Sequence, residues 1–258
     1  MQSLEDSVLT ALDGTDRALL PYLPYILQDL WEIGASPDIM FMLIKKHFPN
    51  PTALSALDLG CGKGAVSIRL ASALGCACHG IDAVGAFIDE ARHKARACGV
   101  ADRCRFEIGD LRTELARLTS YDVILLGAIG PVLGNYFETL TALSASLKPH
   151  GAILIDDGYV DDDSDFGHAG LEKKSTILRQ IAQAGMRLID EHLTPTSAIK
   201  ATDNAMYAHI EQRCRELIEK HPEQRAIFEN YLKNQREEND ALENRAHCAT
   251  LVIKRIGE

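Results

Sequence analysis

Short apolar runs alternate with helix-period segments through the middle of this chain, and that alternation constrains the fold more than any other feature. Residues 53–59 form an apolar run ending at Gly60, and a helical stretch follows over 63–74. A strand at 76–82 and a helix at 85–98 come next, then strands at 104–110 and 121–127 and a helix over 133–147. Lys148-Pro149-His150-Gly151 stops that helix; a strand at 151–155 and a helix at 171–184 follow. Interleaving of this kind predicts βαβ units, right-handed crossovers and a mostly parallel, doubly wound α/β sheet.

Two segments break the alternation. Residues 1–50 read as a helical cap, interrupted at Pro21, Pro24 and Pro37, since proline is poor inside a helix. Residues 196–245 carry apolar side chains at i, i+3/i+4 spacing (Ile210, Cys214, Leu217, then Phe228, Tyr231, Leu232) on a highly charged background. That pattern predicts a helical hairpin, inserted between strand-like runs at 186–193 and 247–256. Its bland reading is a solvated pair packed on the sheet edge; its functional reading is a lid or a homodimer contact. The predicted organisation is a cap at 1–50, a sheet domain at 51–195 plus 246–258, and the insertion at 196–245.

Composition narrows the class. With 46% hydrophobic and 25% charged residues, the chain has the make-up of a globular protein and not of a disordered or fibrous one. The longest apolar runs, such as 123–129, are far shorter than the roughly 18 residues of a membrane span. The first six residues include acids and no basic segment, so no signal peptide is expected. A formal charge of −10 disfavours a polyanionic partner. Seven scattered cysteines without a CxxC argue for a reducing, cytoplasmic setting and against structural zinc.

The strongest local signal is Leu57-Asp58-Leu59-Gly60-Cys61-Gly62-Lys63-Gly64, set between a strand and a helix. Glycines there permit a tight turn and let a ligand lie against bare peptide. Asp82 ends the next strand, where a carboxylate can accept both ribose hydroxyls, and Asp110 ends the third. Gly60-x-Gly62-x-x-Ala65 also meets the relaxed dinucleotide fingerprint, so a nicotinamide cofactor competes for the site. A ligand with an α-amino group and an adenine gives better reason for Asp58 and Asp110.

These motifs, with Tyr121-Asp122-Val123-Ile124-Leu125-Leu126 and Leu147-Lys148-Pro149-His150-Gly151-Ala152, resemble those of class I S-adenosylmethionine-dependent methyltransferases. The resemblance spans about 53–194 and 247–256, and is nearest to bacterial small-molecule members with a helical insertion before the last strand. It implies a Rossmann-like, seven-stranded, mostly parallel sheet with an antiparallel last strand. It also implies S-adenosyl-L-methionine as cofactor and S-adenosyl-L-homocysteine as product. Gly60, Cys61 and Gly62 would line the methionine moiety, with Asp58 near its amino group. Asp82 would hold the ribose, Ala83 would lie beside the adenine, Asp110 would meet the adenine amino group and Leu111 would pack on the ring. Gly127 and Ala128 would bring backbone near the sulfur. Ala83 departs from the larger apolar residue common at its position, leaving adenine packing to be completed elsewhere.

Methyl transfer from a sulfonium is an in-line displacement whose donor is already activated, so no catalytic residue is assigned from sequence. The fourth strand ends in Gly127-Ala128-Ile129-Gly130-Pro131, without the Asn-Pro-Pro-Tyr tetrapeptide of base-amino methyltransferases. A small-molecule acceptor is therefore expected, with neither nucleic acid nor membrane as partner. Residues 156–168 hold six aspartates and a histidine and read as an acidic loop. A solvated loop, a wall for a cationic acceptor and a hard-metal site stay open there, with no metal assigned. Asp157 and Tyr159 are the loop members expected to face substrate. Tyr25, Trp31 and Tyr207 are further substrate candidates through their aromatic faces, each also readable as packing. His168 is a candidate base. Two other functions remain: a non-catalytic cofactor-binding module and a nicotinamide-dependent oxidoreductase.

Overall fold

A computed structural model describes residues 3–168 and 170–257. The strands are β1 (Ser55–Leu59), β2 (Ala77–Asp82), β3 (Cys104–Ile108), β4 (Tyr121–Gly127), β5 (Leu147–Val160), β6 (Glu172–Lys173), β7 (Met186–Leu193) and β8 (His247–Arg255). Seven form one path in the order β3-β2-β1-β4-β5-β8-β7, and β6 pairs with β5 beside it. Neighbours among β1 to β5 are parallel, and β7 and β8 are antiparallel. The doubly wound sheet expected from the alternation is thus present. Val123–Leu126 of β4 is buried at every position, the unbroken apolar run of a parallel strand covered on both faces.

The crossovers carry α4 (Ala65–Leu74), α5 (Gly85–Ala97), α6 (Leu111–Glu114), α7 (Tyr136–Ser144) and α8 (Lys174–Gln183). An Asn135/Glu138 capping box starts α7 and so fixes the residue that follows the cap, Tyr136. Leu140 and Leu143 of α7 share one buried cluster with Ile124, Leu126, Ile153 and Ile155, which makes the centre of the sheet the core.

The chain divides into two compact units. One is helical and combines the segment up to Trp31 with Thr194–His247. It contains α1 (Leu4–Ala11), α2 (Leu23–Ile26), α9 (Thr196–Lys220) and α10 (Arg225–Asn244). The predicted hairpin is α9 and α10, with Ile210, Cys214, Leu217, Phe228 and Tyr231 buried. The N-terminal segment is tied to it: Gln235 Nε2 donates to Asp13 Oδ2 at 2.8 Å, and Tyr22 meets Phe228 edge-on at 5.1 Å.

The other unit is the sheet, Glu32–Leu193 with the strand from Cys248 on. It includes α3 (Pro37–His47), so the division expected at residue 50 falls after Trp31. The reason is packing. Met40, Leu43 and Ile44 of α3 are buried, Asp38 pairs with Arg69 of α4 at 2.7 Å, and His47 meets Asp190 of β7 at 2.6 Å.

β5 also differs from the expected 151–155. It starts at Leu147, opposite Tyr121, through a register irregularity, and runs to Val160 because β6 supplies partners for Tyr159 and Val160. Asp156 and Asp157 are therefore strand residues, and only the residues beyond Val160 form the acidic loop.

Candidate functional site at the carboxyl ends of the strands

The corner after β1 is built from backbone geometry. Gly60 and Gly62 have φ of +70° and +50°, values that a side chain makes costly. The N–H groups of Gly60 and Cys61 both donate to the Ile81 carbonyl, at 2.8 and 3.1 Å. Asp82 completes the joint: its Oδ2 accepts from Gly62 N–H and its Oδ1 from Val84 N–H, each at 2.8 Å. Burial pushes the Asp82 carboxyl above its ordinary range, and those backbone donors pull it back. A Cβ on Gly60 would strike Ile129 at 2.4 Å, whereas one on Gly62 would meet nothing within 4 Å. Gly62 thus marks the open face of the corner. The Cys61 side chain is buried beside Gly80, its Sγ 3.8 Å from the Gly62 carbonyl oxygen, with its thiol held neutral by burial.

Lys63 is a residue that sequence reasoning passed over. Its side chain is fully buried, its Nζ lies 2.9 Å from Glu90 Oε2 on α5, and it sits over the Phe87 ring. The only signal was a lysine inside an otherwise apolar glycine turn.

Asp58 is buried and accepts the Ser67 hydroxyl at 2.6 Å, so the first turn of α4 closes over the end of β1. Burial, against the Ser67 hydrogen bonds, raises its pKa to about 6. A carboxyl whose folded pKa exceeds its unfolded value costs stability as pH climbs from about 4 through about 6, and the full cost persists above. Asp58→Asn is therefore expected to stabilise the fold at pH 8 by about 2–3 kcal/mol and to do so hardly at all at pH 4. Thermal unfolding at both pH values checks this, and a pH-independent difference would refute it.

Asp110 caps α6 through Arg112 N–H at 3.0 Å and grips the Arg112 guanidinium with both oxygens. That pairing holds the carboxyl below its usual range. An adenine amino group would have to compete with Arg112. Leu111 is buried as part of the core cluster. Ala83 is half-buried beside Asp82. Ile108, opposite Asp82 in the β2–β3 register, is 55% exposed and reaches toward Gly85.

At the end of β4, Gly127 lies against Ala35, while Ala128 stays exposed beside Gly34. A Cβ on Gly127 would come within 2.6 Å of Ala35 Cβ, and Ala128 takes φ +53° while its N–H donates to the Asp156 carbonyl at 3.0 Å. Ser36 N–H reaches Asp156 Oδ2 at 3.3 Å. Beside this lies a cavity lined by Ile129, Pro131, Tyr136, Asp156, Asp157 and Glu172, among others. Ile129 is the wall it shares with the glycine corner. Tyr136 donates to Asp157 Oδ2 at 3.0 Å, and Gly158 N–H donates to Asp157 Oδ1 at 2.8 Å. Burial raises both Asp156 and Asp157 to about 6.

The remaining candidates each have local partners of their own. Tyr159 is buried within an ionic group on the far part of β5: its hydroxyl donates to Glu191 at 2.7 Å and accepts from Lys174 at 3.0 Å. In the helical unit, Tyr25 donates to Glu216, and Lys220 sits over its ring at 5.0 Å. Trp31 is half-buried there, and Arg236 covers the Tyr207 ring at 4.9 Å. His168 stacks on Phe166. Among the described residues no three His, Cys, Asp or Glu side chains are grouped to hold a metal ion, and no helix is long and apolar enough to cross a membrane.

The family described as "Methyltransferase domain" matches residues 52–212, more than half of the chain. A SAM-dependent methyltransferase from Thiobacillus denitrificans, solved in complex with S-adenosyl-L-homocysteine, is 19% identical, with 94% of this chain and 99% of that one covered and a TM-score of 0.73. Its counterpart from Geobacter sulfurreducens, in the same complex, is also 19% identical over 94% and 99% of the two chains, with a TM-score of 0.74. The [4+2]-cyclase SpnF is 14% identical over 98% and 97%, with a TM-score of 0.71. At such identities the likeness is one of fold. No curated protein matches the chain in sequence.

Proposed function

We propose that the chain, which belongs to the methyltransferase-domain family, transfers the methyl group of S-adenosyl-L-methionine to a small-molecule acceptor. The carrying observation is the joint at the ends of β1 and β2, where Asp82 holds the glycine corner open at Gly62. The neighbours solved with S-adenosyl-L-homocysteine support the same cofactor.

The residues present fit that group. The bare backbone at Gly62 accommodates its amino-acid portion, and the Asp82 carboxylate, held in place by backbone N–H groups, keeps acceptor capacity for the ribose hydroxyls. Asp58, on β1 two residues before Gly60 and held by Ser67, favours a cationic amino group when ionised. Ile108 offers the adenine an apolar face. When bound, the cofactor supplies a methyl group on a sulfonium, activated without help from the protein. The chain's own task is then to hold the acceptor in line and keep water out. Ala35, packed against Gly127 at the end of β4, serves the second purpose at that position.

Titration calorimetry with S-adenosylhomocysteine and NAD tests the proposal: binding of the first is expected, and binding of NAD alone refutes it. Because one neighbour of this fold is a [4+2]-cyclase, transfer of tritiated methyl groups must accompany binding. A smaller effect tests the adenine face. Ile108→Ala is expected to weaken S-adenosylhomocysteine by about 1–2 kcal/mol, and an unchanged Kd would remove Ile108 from the site.

A further inference from the structure

We propose that Tyr136 and Asp157 form a proton relay that deprotonates the methyl acceptor, and that the acceptor is an alkylammonium group seated in the cavity between the ends of β4 and β5. The inference rests on the methyl-transfer reading above and adds to it the acceptor class and the path of its proton.

Position comes first. The cavity adjoins the glycine corner through Ile129, at the carboxyl ends of the strands where open α/β sheets bind ligands. Tyr136 and Asp157 both line it, and the Tyr136 hydroxyl is the donor to Asp157 Oδ2. That leaves the phenolic oxygen as an acceptor towards the cavity. The ring is fixed from behind. Its residue opens α7 directly after the capping box, and its N–H donates to Gln180 Oε1 at 2.9 Å. Asp157 is fixed as well, by Gly158 N–H on its other oxygen.

Charge selects the acceptor. The titratable groups around Asp157 are Tyr136 on α7, Asp156 on β5 and Glu172 on β6, whose Oε2 accepts from Gln180 at 2.7 Å. No lysine, arginine or histidine is among the described residues lining the cavity. Such a field favours a cation and opposes an anion, so an ammonium fits it and a phenoxide does not. Burial also keeps the Tyr136 hydroxyl protonated, so it acts as a conduit and not as a standing phenolate.

The step balances. An ammonium R–NH3⁺ gives one proton to the Tyr136 oxygen as Tyr136 passes its own to Asp157, leaving a free amine and a neutral carboxyl. The nitrogen lone pair forms the N–C bond while the S–C bond breaks, its electron pair going to sulfur. The product is a methylammonium, and Asp157 returns its proton to solvent. Asp157 acts through Tyr136 and must be ionised beforehand, so turnover falls on the acid side of about pH 6.

Two measurements test this on the full chain. In the cofactor-free protein, carbon NMR of labelled aspartate follows the Asp157 carboxyl. It is expected to titrate near 6 and to move upward in Tyr136→Phe, because the carboxylate loses a donor; a midpoint in the ordinary range, or one unmoved by the substitution, overturns the pairing. The second is tritium transfer to a panel of primary and secondary alkylamines and phenols. Alkylamines are expected to be methylated, with kcat lowered roughly 100-fold in Tyr136→Phe; in Asp157→Asn the inflection near pH 6 should give way to a rate that climbs towards the amine's own pKa. The Kd of S-adenosylhomocysteine should stay within about twofold in both, which also reports intact folding. Methylation of phenols alone, no methylation of any alkylamine by protein that binds the cofactor, or an inflection near pH 6 that survives Asp157→Asn overturns the relay. Failure to bind S-adenosylhomocysteine at all would instead overturn the methyl-transfer reading.

Discussion

Asp82→Ala is expected to raise the Kd for S-adenosylhomocysteine by more than about 100-fold, a loss of about 3 kcal/mol. A ribose contact alone does not account for so much. The Asp82 carboxylate also accepts the N–H groups of Gly62 and Val84, and its removal leaves both donors without that partner. The corner then loses the tie that joins the β1 turn to the end of β2, and the cofactor must reorder it on binding. Asp82→Asn retains one carbonyl oxygen and should lose roughly tenfold. Calorimetry on the two variants separates the contributions: an alanine variant no worse than the asparagine one would show that Asp82 holds ligand but not backbone. An unchanged Kd in both would remove Asp82 from the site.

Glu90→Gln is expected to destabilise the fold by about 3 kcal/mol, although nothing in the glycine motif is altered. Lys63 has no exposed side-chain surface and faces Glu90 Oε2 at 2.9 Å. Removing the carboxylate leaves a cation in a site from which it cannot reach bulk water. Thermal unfolding should show a fall in Tm of roughly 6–12 °C. The double variant Lys63→Met, Glu90→Gln is expected to recover most of the loss, because an unbranched apolar chain of similar length needs no counter-charge. If the double variant is as unstable as the single one, the lysine's charge is not the source of the penalty.

The parts of the site that were legible in the sequence are those that backbone geometry dictates. Gly60 and Gly62 had to be glycine to turn as they do, and Asp82 had to follow one strand later, so spacing alone revealed them. Asp110 was legible as a strand end, but its partner Arg112, two residues on, was not weighed. Lys63 escaped because burial of its charge depends on Glu90, a residue of the next helix. Tyr136 escaped because its importance comes from Asp157 across the sheet, and sequence order says nothing of that pairing. Tyr159 falls just past the strand end only if β5 stops at 155, whereas β5 runs on to Val160. The two-residue β6 that prolongs it is too short to announce itself. The boundary at residue 50 failed for a similar reason: α3 has the same helical periodicity whichever unit buries it, and only its contacts with α4 and β7 decide.

The position of β8 governs when the sheet can assemble. It lies between β5 and β7, yet it is the last strand in the sequence, separated from β5 by β6, α8, β7 and the whole α9–α10 hairpin. β7 has β8 as its one neighbour on the strand path and cannot join the sheet before it. During synthesis, β1 to β5 can pair as they emerge, while β7 must wait for the hairpin and for residues 247–255. Loop closure over that distance makes this the slow, late event of folding. The edge of β5 that β8 will cover stays open meanwhile, a template for pairing between chains. A nascent chain halted before residue 247 is therefore the species in which aggregation should be sought.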